Sequence, residues 1–152
     1  MVQETQLKRE YPYAKRLTGV DVSEKMLEKA SEKNIYSRLE VLDILGSWSF
    51  PALFDLIYSA DVFVYMGNLD PVIRSGASYL TEGGKFAFSV ERLEDPTAGY
   101  RLYPSGRYAH SREYLEACLE RHGFTLAEIK VADIRNQSGN PVKGLLVVAI
   151  KK

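Results

Sequence analysis

The stretch LTGVDVSEKMLEKA, residues 17–30, decides the fold class of this chain. Its first six residues are rich in strand-forming side chains and end before Ser23, a residue type that is preferred at helix N-caps. Its second half places Met26, Leu27 and Ala30 on one face at helical spacing. The stretch therefore predicts a strand that is followed directly by an amphipathic helix.

Strand and helix patterns continue to alternate along the rest of the chain. Further strands are predicted at residues 39–42, 54–58 and 85–90, and further helices from Asp70, as N-cap, to residue 80 and from Ser111 to residue 122. Two final strands, 124–134 and 142–150, are joined by a loop too short for a crossover helix, which predicts an antiparallel hairpin. The pattern is typical of a doubly wound α/β fold whose mostly parallel sheet ends in an antiparallel pair.

Composition narrows the class of protein. The 152 residues are 45% hydrophobic and 26% charged, which predicts one domain over residues 1–152. Because 20 Lys and Arg balance 20 Asp and Glu, the chain lacks the basic field that generic nucleic-acid binding requires. Its longest apolar run, residues 145–150, is far shorter than the roughly 20 residues that span a bilayer, and its N-terminus lacks an apolar signal segment. We therefore expect a cytoplasmic protein without generic nucleic-acid or membrane partners.

Cysteine and histidine are scarce. Cys118 is the only cysteine, and the two histidines are His110 and His122. One thiol forms no intrachain disulfide, and this set is too sparse for a structural zinc site. We therefore expect a reducing compartment, no bound metal and a core position for Cys118.

Asp21 ends the first predicted strand, where an acidic residue in a doubly wound sheet binds the two ribose hydroxyls of a nucleoside. Residues 17–30 resemble the second strand and helix of class I S-adenosylmethionine-dependent methyltransferases. The resemblance continues in register in the third-, fourth- and fifth-strand motifs, at residues 41–45, 54–62 and 80–89. It implies a Rossmann-like fold, S-adenosylmethionine as cofactor, and methyl transfer to a small-molecule or protein acceptor.

Three shorter stretches indicate a subgroup of that family. Residues 60–65, 104–111 and 141–146 resemble the methyltransferases that often follow tetratricopeptide repeats in longer chains. The family resemblance also implies a set of cofactor contacts, at the ribose, at the adenine and beside the reactive methyl. The residues implied are Asp21 and Val22, then Asp43 and Ile44, and finally Ser59.

Candidate catalytic residues lie after the central strand and in a long segment without periodicity. Residues 91–110 are typical of a binding loop or lid, although a surface loop held down by its tyrosines is the alternative. If the acceptor needs a base, His110 is the first candidate, followed by Asp61 and Tyr108. A local hydrogen bond at the next helix start would also explain His110, and a turn cap would explain Asp61.

The first strand and glycine-rich loop of the family are missing from the pattern. Only 16 residues precede Leu17, whereas a βαβ unit needs about 30, and Gly19 is the first glycine. We therefore expect an N-terminally truncated domain in which the strands headed by Leu17 and Phe54 pair directly or accept a strand from another chain. The second arrangement would produce a homo-oligomer through the exposed inner sheet edges.

Two further functions stay open at this point. Without the glycine loop, cofactor binding would be weak or absent, which fits a non-catalytic methyltransferase-like interaction domain or a truncated gene product. A nicotinamide-dependent dehydrogenase shares the ribose-binding acid, but it requires another glycine fingerprint and strand order. The terminal hairpin argues against the dehydrogenase.

Overall fold

The computed structural model describes residues 12–152, which form two compact units that meet in sequence at Trp48 and Ser49. The described part of the first unit holds strand β1 (Thr18–Asp21), helix α1 (Glu24–Ser31) and strand β2 (Arg38–Val41). Strands β1 and β2 are parallel, and Asp21 lies opposite Val41. The predicted N-cap is confirmed, because the Ser23 side chain accepts a hydrogen bond from Met26 N.

The second unit is larger and contains most of the regular structure. Its elements are β3 (Phe54–Ser59), a 3₁₀ turn (Phe63–Tyr65), α2 (Asp70–Tyr79), β4 (Leu80–Leu93), β5 (Tyr100–Leu102), β6 (Tyr108–Ser111), α3 (Arg112–Arg121), β7 (Phe124–Gln137) and β8 (Asn140–Lys151). The strand order is β5-β6-β4-β8-β7, and β3 also pairs with β4. Strand β4 is therefore central, with β3 and β6 beside successive parts of it and β8 on its other edge.

The predicted α/β class with a closing hairpin is confirmed. Strand pairs β1-β2, β3-β4 and β4-β6 are parallel, whereas β7 and β8 run antiparallel over their whole length. Ser138 and Gly139 form the hairpin turn, and both have positive φ angles, 50° and 81°. Two positive φ angles match the right-handed strand twist in a two-residue turn, and they favour glycine at one position.

The structure differs from the predicted boundaries at two places. Residues 91–110, predicted as irregular, contain β5, β6 and the end of β4, and the short β6 lies parallel to β4. Helix α2 begins one residue earlier than predicted, because Leu69 is its N-cap and Asp70 is already helical. The N-cap residue itself makes no side-chain hydrogen bond, and the backbone N–H of Asp70 donates instead to Asn68 Oδ1 at 3.0 Å.

The buried hydrophobic residues lie between Phe63 and Ala149, in the second unit. Phe86 is at their centre, with ring centroids 5.2 Å from Phe88, 5.9 Å from Phe124 and 6.1 Å from Phe63. These distances are those of favourable edge-on and tilted aromatic pairs. These aromatic contacts hold β4 in place. The carboxyl end of β4 lines the cleft that is described below.

Each of the two predicted inner strands has one strand partner among residues 12–152. Strand β1 pairs with β2, and strand β3 pairs with β4. The other edge of each strand has no strand partner in this part of the chain. No helix of the described residues is long and apolar enough to cross a membrane.

Candidate functional site

The carboxyl end of β1 presents Asp21, the predicted ribose ligand. Its Oδ1 accepts a hydrogen bond from Ser23 N at 2.8 Å, which fixes the orientation of the carboxylate at the start of α1. Its carbonyl oxygen accepts from Leu42 N at 3.0 Å, which continues the pairing with β2. Val22 beside it is mostly exposed. Asp21 and Val22 therefore lie at the carboxyl end of the parallel strand pair, where the backbone N–H of Ser23 holds the Asp21 carboxylate.

Asp43 and Ile44 lie at the same end of the parallel pair, just after β2. Asp43 Oδ1 accepts from Leu45 N at 3.0 Å, and its carbonyl accepts from Gly46 N at 2.9 Å. Trp48 Nε1 donates to the Ile44 carbonyl at 2.9 Å. This tight turn orders the segment that the sequence assigns to the adenine.

In the second unit, β3 ends at Ser59 and is followed by a strained residue. Asp61 has φ +55°, a left-handed conformation that costs free energy in a residue other than glycine. Its backbone N–H donates to Ser89 Oγ at 3.1 Å, which links the turn to β4. Left-handed residues of this kind cluster at binding sites. The position of Asp61 beside a substrate stays a prediction.

Arg107 completes the surroundings of Asp61. Its Nη1 lies 3.0 Å from Asp61 Oδ1, and its guanidinium lies over the Tyr65 ring, 5.2 Å from the centroid. The stacking and the ion pair together hold the tip of the β5-β6 hairpin against the turn after β3. The sequence did not reveal this contact, because 46 residues separate the two partners.

His110, the first candidate for a base, is fully buried at the end of β6. Its Nε2 lies 2.9 Å from the Gly67 carbonyl, and its ring stacks on Tyr114 at a centroid distance of 6.0 Å. The Nδ1 atom is buried without a hydrogen-bond partner. Burial lowers the pKa of His110 below its ordinary value, because the cation loses its water shell. His110 is thus a neutral residue inside an aromatic cluster.

Tyr108 belongs to the same aromatic cluster. Its ring is 6.1 Å from that of Tyr100, and Tyr100 is 5.6 Å from Tyr114. The Tyr114 hydroxyl accepts from Leu69 N at 2.8 Å, and burial raises the pKa of Tyr114 to about 12. Gly67 has no room for a side chain, since an added Cβ would lie 2.7 Å from the Tyr100 ring. Contacts between tyrosine rings therefore hold this part of residues 91–110 in place.

A cleft of about 490 Å³ opens at the carboxyl end of β4. Its lining is mostly charged and consists of Glu91, Arg92, Leu93, Glu94, Asp95, Arg101, Tyr103, Val142 and Lys143. Glu91 is buried and pairs with Arg135 at 2.5 Å, and Arg101 pairs with Asp95 at 2.8 Å. Glu91 and Arg135 were not predicted as site residues. A charged residue directly after the apolar run of β4 is the signal that marks Glu91.

Solved structures share this architecture and define its class. A methyltransferase from Mesorhizobium loti that depends on S-adenosylmethionine is 20% identical, with 97% of this chain and 85% of that chain covered and a TM-score of 0.74. The N-methyltransferase NodS from Bradyrhizobium japonicum WM9, in complex with S-adenosyl-L-homocysteine, is 25% identical, with 95% and 70% covered and a TM-score of 0.70. The fold is that of class I S-adenosylmethionine-dependent methyltransferases, and the Rossmann-like prediction is confirmed.

A known protein family matches more than half of the chain. Residues 4–84, which are 81 of the 152 residues, match the family described as methyltransferase domain. The chain belongs to this family of methyltransferase domains. No curated protein matches the sequence. The same fold also occurs in the (4+2)-cyclase SpnF, which is 17% identical, with 98% and 70% covered and a TM-score of 0.75, so the fold alone does not fix the reaction.

Proposed function

We propose that this chain is an S-adenosylmethionine-dependent methyltransferase that acts on a small-molecule or protein acceptor in the cytoplasm. The observation that carries the proposal is the pair of ordered acidic turns that close two adjacent parallel strands, together with the family match over residues 4–84. The stretches 60–65, 104–111 and 141–146 favour the subgroup that accompanies tetratricopeptide repeats.

The residues of the first unit fit a nucleoside. Asp21 would accept the ribose hydroxyls, because Ser23 N fixes its carboxylate at the carboxyl end of β1. Val22, exposed beside it, offers an apolar contact. Asp43 and Ile44 would line the adenine, in a turn whose backbone is already hydrogen-bonded. Because the backbone of this site is already ordered, binding a ligand costs less conformational entropy.

When bound, S-adenosylmethionine supplies an electrophilic methyl group, so the protein has mainly to position the acceptor and exclude water. Ser59 and Asp61 follow β3, at the strand ends where ligands bind in such sheets. The Asp61 side chain is 54% exposed, and Arg107 holds its Oδ1. We assign to Asp61 the role of accepting the proton of a hydroxyl or amine acceptor.

His110 and Tyr108 support this site from the hairpin. The buried His110 ring holds the Gly67 carbonyl, and Tyr108 packs on Tyr100. Both thereby fix the hairpin that carries Arg107. Because His110 is buried and its Nε2 is held at the Gly67 carbonyl, we propose it as a positioning residue and not as the general base.

Calorimetric titration with S-adenosylhomocysteine tests the proposal. Saturable micromolar binding is expected, and Asp21→Ala should abolish it. Glu28→Ala is the matched control, because Glu28 is an exposed acid on α1 away from the strand ends. Asp61→Asn should leave the affinity unchanged. No heat at millimolar ligand would instead favour the non-catalytic interaction domain.

The free strand edges support one further element of the proposal. Strands β1 and β3 each have one strand partner in residues 12–152, and unpaired edges favour association with another strand. We propose that a second copy of the chain supplies it. Sedimentation velocity should then show a concentration-dependent dimer, and a monomer at all concentrations would contradict this element without affecting cofactor binding.

A further inference from the structure

Three side chains with metal-binding atoms converge where helix α2 begins and helix α3 ends. They are Asp70 in the first turn of α2, Cys118 in the last turns of α3, and His122 at the C-cap of α3. Their ligand atoms all lie within 4.8 Å of one another. None of the three takes part in the proposed methyl transfer.

The spacing of these atoms suits a tetrahedral ion. Asp70 Oδ1 is 3.0 Å from His122 Nε2 and 3.7 Å from Cys118 Sγ. With ordinary zinc bond lengths of about 2.0 Å to oxygen and nitrogen and about 2.3 Å to sulfur, a tetrahedron separates oxygen from nitrogen by about 3.3 Å and from sulfur by about 3.5 Å. Each observed separation differs from these values by a few tenths of an ångström.

The surroundings favour a ligand role for the histidine. His122 Nε2 is buried and, despite its short distance from Asp70, is not aligned for a hydrogen bond. The thiol of Cys118 is almost completely buried, and residues 118 and 122 lie one helical turn apart on the same face of α3. An imidazole, a carboxylate and the thiolate that Cys118 forms when it releases its proton to water make a donor set that zinc prefers.

Arg121 is the group that now competes for this position. Its Nη1 donates to the same Asp70 Oδ1 at 2.6 Å, so a cation at the cluster must displace the guanidinium. The Arg121 side chain is 62% exposed and has free solvent to move into. An exposed ion pair of this kind contributes little free energy, so its loss is a small cost beside coordination.

We propose that Asp70, Cys118 and His122 form a binding site for a thiophilic divalent cation of the zinc class. Water completes the tetrahedron on the side where Arg121 now lies. The ion joins the first turn of α2 to the end of α3 and stabilises their packing. The sequence predicts no metal, because one thiol and two histidines are too sparse for a structural zinc site, and Asp70 lies 48 positions before Cys118.

The composition of the chain makes the test specific. Cys118 is the only cysteine, so any ultraviolet thiolate-to-metal absorption band produced by Cd²⁺ must come from it. Titration of the full chain with Cd²⁺ should produce this band with one equivalent, and Zn²⁺ should remove it by competition. Co²⁺ should give the visible bands of a tetrahedral site. Absence of a saturable band would overturn the proposal.

Variants distinguish metal binding by all three residues from metal binding by the Cys118 thiol alone. His122→Asn and Asp70→Asn should each weaken Zn²⁺ binding by at least about 10-fold, and Arg121→Gln should strengthen it. Arg112→Gln, an exposed arginine at the other end of α3, is the matched control and should change nothing. His122 lies at a partly exposed helix end, so its variant should fold, as circular dichroism can verify. Equal Cd²⁺ affinity in the parent chain and in both ligand variants would show binding by the thiol alone and would refute the site.

Discussion

Replacing Arg135 by methionine should destabilise the second unit strongly. Arg135 Nη1 lies 2.5 Å from Glu91 Oε1, and the two side chains are 17% and 8% exposed. Removing one partner of a buried ion pair costs about 3–5 kcal/mol, since the other charge stays buried without compensation. We expect a value of about 3 kcal/mol, because Arg135 keeps some contact with water. For a chain of this size the loss corresponds to a decrease in Tm of about 6–12 °C.

Urea denaturation followed by far-ultraviolet circular dichroism measures this loss. Tryptophan fluorescence is less suitable, because the only tryptophan, Trp48, belongs to the other compact unit. Lys143→Met is the matched control on the same hairpin. Lys143 pairs with Asp133 at 2.6 Å, but both side chains are more than half exposed, so its loss should cost no more than about 1 kcal/mol.

The double variant decides whether charge or packing is responsible. Replacing Glu91 and Arg135 together by methionine removes both charges and keeps most of the volume, so stability should recover toward that of the parent chain. The coupling free energy of the double-mutant cycle should then be about 2–3 kcal/mol. If Arg135→Met costs no more than Lys143→Met, or if the double variant is as unstable as the sum of the single ones, the reasoning is wrong.

Three other changes have calculable effects. Ser111→Ala removes the acceptor for Tyr114 N at the start of α3 and should cost about 1 kcal/mol in urea denaturation. Gly144→Ala places a Cβ 2.7 Å from the Val90 carbonyl, so overpacking of about 1–3 kcal/mol should decrease Tm. Burial lowers the pKa of His110 in the folded chain. As pH falls below about 6.5, His110 is therefore protonated in the unfolded chain before it is protonated in the folded chain. Stability should therefore decrease from that pH downward until folded His110 also protonates, and His110→Phe should remove this part of the slope in pH-dependent unfolding.

The parts of the fold that could be predicted are those fixed by neighbours in sequence. The strand and helix of residues 17–30 follow from their periodicity and from Ser23, and the structure gives β1, the cap and α1 there. The terminal hairpin follows from a short polar loop that contains Gly139. In each case the decisive interaction spans only a few residues, so the local sequence pattern is enough to predict it.

The contacts of the candidate site were much less predictable. Asp61 could be named because it follows an apolar strand, but its ion pair with Arg107 spans 46 residues. Glu91 and Arg135 meet only because β4 and β7 flank the same strand, β8. Such pairs depend on sheet order, and periodicity alone does not give that order. The strands of the β5-β6 hairpin are also only three and four residues long, too short for a pattern to show.

The one-residue difference at the start of α2 has a chemical consequence beyond the boundary itself. As the predicted N-cap, the Asp70 carboxylate would be occupied by backbone N–H groups of its own helix. In the structure Leu69 has the N-cap position, and no side chain caps the helix. The carboxylate is therefore turned toward the end of α3, where His122, Cys118 and Arg121 approach the same oxygen. Because the helix starts one residue before the predicted position, Asp70 is not a capping residue but the centre of a polar cluster that joins α2 to α3. The cation titration tests whether this cluster binds a metal ion.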